Sequence, residues 1–152
     1  MISEQQQFHG PVFIELTQNS KKPVQIESLK GHYENTAYAI NGVGVFIKHS
    51  SKRMTPWKFS FYKNHQDTIL ELKKIFDEVV VILVCGKDGF VGLDFLELKN
   101  ILNEVHDEIE WIKIDRRIRT QYSVSGTDGK LGFKITRDNF LKKILKDDYI
   151  HS

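Results

Sequence analysis

The chain has 152 residues, 40% apolar and 28% charged, which fits one globular domain able to close over a substantial core. Its formal net charge is +2, too small to mark a nucleic-acid or membrane binder from composition alone. No apolar run approaches the roughly 20 residues that cross a bilayer, so no membrane span is expected.

Met1 to Gln7 has neither a basic region nor an apolar stretch and does not read as a signal peptide. Residues 1–10 are expected to be loosely ordered or a short helical lead-in. Val12 to Thr17 predicts a strand, Gln18 to Pro23 a turn, and the alternating Val24 to Leu29 a partner strand. Thr36 to Ile40, Asn41-Gly42 and Val43 to His49 predict a hairpin with a two-residue turn. Trp57 to Phe61 alternates strictly, as a further strand.

Asn64 is placed to cap a helix, with Asp67 three positions on; Ile69, Leu72, Ile75, Phe76 and Val79 follow at helical spacing. Seven consecutive apolar residues, Val79 to Cys85, predict a central strand buried on both faces. Cys85 is the only cysteine and reads as a small buried hydrophobe. With no internal disulfide to form, the chain fits a reducing, cytoplasmic setting. Lys87-Asp88-Gly89 predicts a turn and Phe90 to Leu93 a short strand. Asp94 and Glu97 form a second capping-box signal, ahead of a helix carrying Leu98, Ile101, Leu102 and Val105.

Ile109 to Ile114 alternates as a strand. Tyr122 to Val124, a Gly126-Thr127-Asp128-Gly129 turn and Leu131 to Ile135 predict a closing hairpin. Thr136 is placed to cap a last helix with Phe140, Leu141, Ile144 and Leu145. Residues 1–152 therefore read as a single domain of α/β or α+β class. A central mixed sheet, a hairpin-rich first half and about three helices are expected.

Complete catalytic motifs are absent from this sequence. The six histidines, His9, His32, His49, His65, His106 and His151, give no His-Glu-x-x-His motif and no pair at ligand spacing on one helix. Neither a Gly-x-Ser-x-Gly elbow nor a glycine-rich phosphate loop opening a helix occurs. No metal site and no cofactor are expected.

One segment is more distinctive. It runs from Val43 through Lys48, Lys52 and Arg53 to Trp57-Lys58-Phe59-Ser60-Phe61, then to a helix containing His65-Gln66 and the buried strand at Val79 to Cys85. This order resembles the core of the PD-(D/E)xK nuclease superfamily, the restriction-endonuclease-like fold, over residues 35–105. In that family a hairpin carries an acid on one strand and acid-x-Lys on the next, followed by a helix and a buried strand. The resemblance assigns Lys48 to the lysine of acid-x-Lys. Phe46 then stands at the acid position, and Asn35 lies near the place of the other acid. Glu34 is the nearest carboxylate, but the Asn-Gly register turns it to the opposite face. Carboxylates are needed to hold the hard Mg²⁺ ion that activates water, and phenylalanine cannot replace one. The resemblance thus implies a nuclease-like fold without the nuclease chemistry. The competing reading of Lys48 is a strand-end lysine reaching solvent.

Basic residues interleaved with aromatics form the second feature. Lys48, Lys52, Arg53, Lys58 and Trp57, together with Arg116, Arg117 and Arg119, are the candidate nucleic-acid-binding residues. Ordinary solvated surface is the competing reading. The leading function is therefore a nucleic-acid-associated protein, with DNA or RNA as partner and no membrane. The alternatives are a protein-interaction or immunity-type module and an active metal-dependent nuclease.

Overall fold

The structure, a computed structural model, describes residues 1–30, 36–102, 109–118 and 121–151, with backbone only at 117 and 118. In chain order the elements are helix α1 (Glu4–Gln18), strands β1 (Ile26–Ser28), β2 (Ala37–Ile40), β3 (Val43–Ser50) and β4 (Trp57–Phe61), helix α2 (Lys63–Ile75), strands β5 (Val79–Cys85) and β6 (Gly89–Asp94), and helix α3 (Phe95–Ile101). Strands β7 (Glu110–Ile118), β8 (Gln121–Gly126), β9 (Gly129–Lys130) and β10 (Ile135–Thr136), helix α4 (Asn139–Leu145) and a 3₁₀ turn at Lys146–Asp148 complete the described fold. The chain is mixed α/β, as its pattern predicts. None of the described helices is long and apolar enough to cross a membrane.

The expected single central sheet is two sheets. The first has the order β1-β2-β3-β5-β6; the second has the order β10-β8-β7-β4, with β9 beside β8. Strand β4 leaves β3 and pairs antiparallel with β7 instead. Trp57, Phe59 and Phe61 on β4, with Ile112 and Ile114 on β7, close one core against Phe46, Val81 and Leu83 of the first sheet. The opposite face of the first sheet carries Val45, Ile47, Val80 and Ile82, covered by Val12 and Leu16 of α1 and by Phe140, Leu141 and Ile144 of α4.

The Asn41-Gly42 turn holds as predicted. Both residues have positive φ, 49° and 79°, and Ile40 pairs with Val43, Ala39 with Gly44, Tyr38 with Val45 and Ala37 with Phe46. β5 is buried at all seven positions, parallel to β3 and antiparallel to β6, so both its edges are paired. Cys85 is inside this strand, and burial pushes its thiol pKa up. The Asp94–Glu97 capping box is also formed: Glu97 N–H donates to Asp94 Oδ1 and Asp94 N–H to Glu97 Oε1, both at 2.9 Å.

Several expectations are corrected. Val12 to Thr17 is helix rather than strand, and of the two readings of residues 1–10 the helical one is found, as part of a helix that runs from Glu4 to Gln18. Ser3 opens α1 with a capping box to Gln6, and Val12 and Leu16, four apart, are both buried. Packing on the sheet thus overrides the β-branched run and Pro11, which lies inside the helix and lacks an N–H to donate. β1 pairs with β2, so its partner is the hairpin and not residues 12–17. Helix α2 begins at Lys63, where His65 Nδ1 accepts the Tyr62 N–H at 3.2 Å, so Asn64 is not its cap. Asp138 and not Thr136 precedes α4; the Thr136 hydroxyl donates to the Asp138 carboxylate. Of the Leu131 to Ile135 stretch, Ile135 alone is strand. Val105 and Glu34 lie outside the described residues.

Candidate nucleic-acid interface

Lys48 lies near the end of β3 on the face that also carries Phe46. The Asn-Gly register alone decides this, since Val45 and Ile47 go to the α1–α4 side. The Phe46 face is the space between the sheets and not an open cleft: Phe46 is 1% exposed. The Lys48 ammonium sits 5.3 Å from the Phe61 ring centroid, and desolvation lowers its pKa. His65 packs against Phe46 and Phe61, at centroid distances of 6.0 and 6.5 Å.

Glu110, which sequence reasoning missed, enters the same inter-sheet space. It is the Cα partner of Phe61, is 1% exposed, and its Oε2 has no hydrogen-bond partner among the described residues. Among those residues no group of three or more His, Cys, Asp or Glu side chains is arranged to hold a metal ion. Asn35 lies outside them.

The basic residues of the β3–β4 loop are gathered at the other end of β4. The Trp57 indole N–H donates to the Lys52 carbonyl at 2.9 Å, and Lys52 Nζ donates to the Pro56 carbonyl at 2.9 Å. Gly86 N–H donates to the Ser50 carbonyl at 2.8 Å; a Cβ at Gly86 would stand 2.3 Å from the Lys52 carbonyl oxygen, so the loop closes here only over glycine. Arg53 lines a depression with Ser51, Gly86, Lys87, Asp88 and Phe8. Arg116 joins this end through β4–β7 pairing: its backbone N–H donates to Thr55 Oγ1 at 3.0 Å, and its Nε meets Asp88 Oδ1 at 3.0 Å. Asp88 also accepts from the Tyr122 hydroxyl at 2.8 Å. Lys52, Arg53 and Arg116 therefore converge. Lys48 stands apart, over Phe61 at the far end of β4. Of Arg117 only the backbone is described, and Arg119 lies outside the described residues.

Two aromatic positions exchange roles. Trp57 is 0% exposed and packs edge-on to Tyr122. It presents no ring face to a base, so its place among the binding residues is corrected to one that holds the basic loop. Trp111, not singled out from sequence, lies on the outer face of the second sheet beside Lys58, whose Nζ is 5.2 Å from its ring centroid. The available signal was alternation: Trp57 is in phase with Phe59 and Phe61, whereas Trp111 is in phase with Lys113 and Asp115.

On that outer face, register lines up a row of side chains across four strands. Lys58 pairs with Lys113, Lys113 with Ser125, and Ser125 with Lys130. Antiparallel partners share a face, so three ammonium groups follow one line, with Ser60 and Trp111 forming the next row. None of these residues belongs to either buried core. Asp115 Oδ2 is 3.8 Å from Lys113 Nζ, and Lys134 Nζ donates to the Ser123 hydroxyl on the same side. No protein-family model, curated protein or solved structure matches the chain.

Proposed function

We propose that this chain is a nucleic-acid-associated protein built on a nuclease-like core that lacks nuclease chemistry. The observation that carries the reading is the convergence of Lys52, Arg53 and Arg116 at one end of the second sheet, next to a lysine-bearing sheet face. Clustered cations bind nucleic acid by neutralising phosphates and releasing counterions, and such binding needs no large net charge if the charge is local. The hairpin β2–β3, the helix α2 and the buried β5 parallel to β3 support the nuclease-like part. Phe46, enclosed at the acid position, supports the absence of hydrolysis. The buried free Cys85 suits a reducing compartment such as the cytoplasm.

A protein-interaction role has one observation of its own. Leu96 is 74% exposed, next to Phe95, whose ring lies under the Lys73 and Lys99 ammonium groups. Fluorescence anisotropy with short duplex and single-stranded oligonucleotides at low salt separates the two readings. Nucleic-acid association predicts saturable binding that Arg53→Glu weakens for every sequence alike, because phosphate contacts carry no base information. Absence of binding to any oligonucleotide at low salt overturns it in favour of a protein partner.

A further inference from the structure

We infer that the outer face of the second sheet is a binding platform for single-stranded nucleic acid, with Trp111 as the ring on which a base stacks and the row Lys58–Lys113–Lys130 as the track for the phosphates. The inference rests on the nucleic-acid reading above and names its ligand and its surface.

Charge and geometry argue for this occupant. Lys58 and Lys113 are directly opposite across an antiparallel pair, an arrangement of like charges that is unfavourable without a counter-charge. Asp115 serves Lys113, at 3.8 Å. Lys58 has turned onto Trp111. A phosphate between the two lysines gives Lys58 the negative partner that Asp115 gives Lys113. Neighbouring strands are about 4.8 Å apart, so the row from β4 to β9 spans roughly 14 Å, enough for a short run of backbone phosphates.

A duplex uses its base faces internally, whereas a single strand offers them to an aromatic ring. Polar sheets with an exposed aromatic and flanking cations meet both requirements of single-strand binding, stacking and backbone neutralisation. Lys58 now covers the Trp111 ring. Base stacking on an indole is stronger than an exposed cation–π contact, so the base takes the ring and frees the ammonium for phosphate. Ser60, Ser123 and Ser125 line the same face and bring hydroxyls without apolar bulk.

The test titrates the full chain at low salt with fluorescent oligothymidylate, oligouridylate and a DNA duplex, comparing wild type with W111A, W111F, K113E and R53E. We expect W111A and K113E each to weaken single-strand binding about tenfold, W111F to retain most of it, and duplex binding to change less than twofold in W111A. The DNA and RNA arms show which backbone is preferred. K113E decides the question alone if W111A does not fold. Wild-type single-strand affinity in both W111A and K113E, with R53E still impaired, overturns the platform and leaves the general nucleic-acid reading standing. Failure of the wild type to bind any of the three probes overturns both.

Discussion

Lys58 and Lys113 face each other across the β4–β7 pair, on the solvent side of a sheet whose other side is core. Lys58→Glu turns this repulsion into an attraction of about 0.2–1 kcal/mol and gives up a cation–π contact of about 0.5–1 kcal/mol. The two nearly cancel, so urea denaturation should place the variant within about 0.5 kcal/mol of wild type. Oligonucleotide affinity should nevertheless fall. Loss of stability without loss of binding would assign Lys58 a purely structural role.

Phe46→Asp tests whether the acid position can regain its chemistry. Phe46 is enclosed between the sheets, so the variant loses a large apolar side chain and buries a carboxylate. Destabilisation of at least about 3 kcal/mol is expected, without Mg²⁺- or Mn²⁺-dependent cleavage. Divalent-dependent cleavage by the wild type, abolished in Lys48→Ala, is the opposite result and identifies an active nuclease.

His9 predicts an acid-sensitive contact between α1 and the hairpin. It is 3% exposed, and its Nδ1 lies 2.7 Å from the Tyr38 hydroxyl. Burial, and secondarily the charge on His49, lower its pKa from 6.5 to about 4. The unfolded chain therefore binds the proton first. This contribution to stability is fully present above about pH 6.5 and is lost as the pH falls towards about 4. Urea midpoints measured across that window should decline, and His9→Gln should flatten the slope. An unchanged slope in the variant removes His9 as the cause.

Local signals explain why parts of the fold were legible. Asn41-Gly42 specifies its own turn, Val79 to Cys85 has no polar face to expose, and Asp94 and Glu97 cap each other within one turn. Where tertiary context decides, the sequence was silent or misleading. Strict alternation at Trp57, Phe59 and Phe61 fits a strand of either sheet, so nothing in it announces the departure of β4. Val12-Phe13-Ile14 becomes helix because α1 can bury Val12 and Leu16 against the sheet. At the candidate site, the gathering of Lys52, Arg53 and Arg116 depends on the pairing of β4 with β7, which are far apart in sequence. For Trp111 the alternation was informative, since its phase with Lys113 puts it on the outer face.

The salt dependence of single-strand binding reads out the phosphate track on the second sheet. Lys58, Lys113 and Lys130 neutralising three phosphates contribute about −2 to the slope of log K against log salt, to which the cations around Arg53 add, and Lys113→Gln should reduce its magnitude by about 0.7. Trp111 emission should be quenched in step with binding, while the enclosed Trp57 contributes a constant background. No measurable binding at low salt, or binding whose affinity is indifferent to salt, would rule out a phosphate track on this sheet.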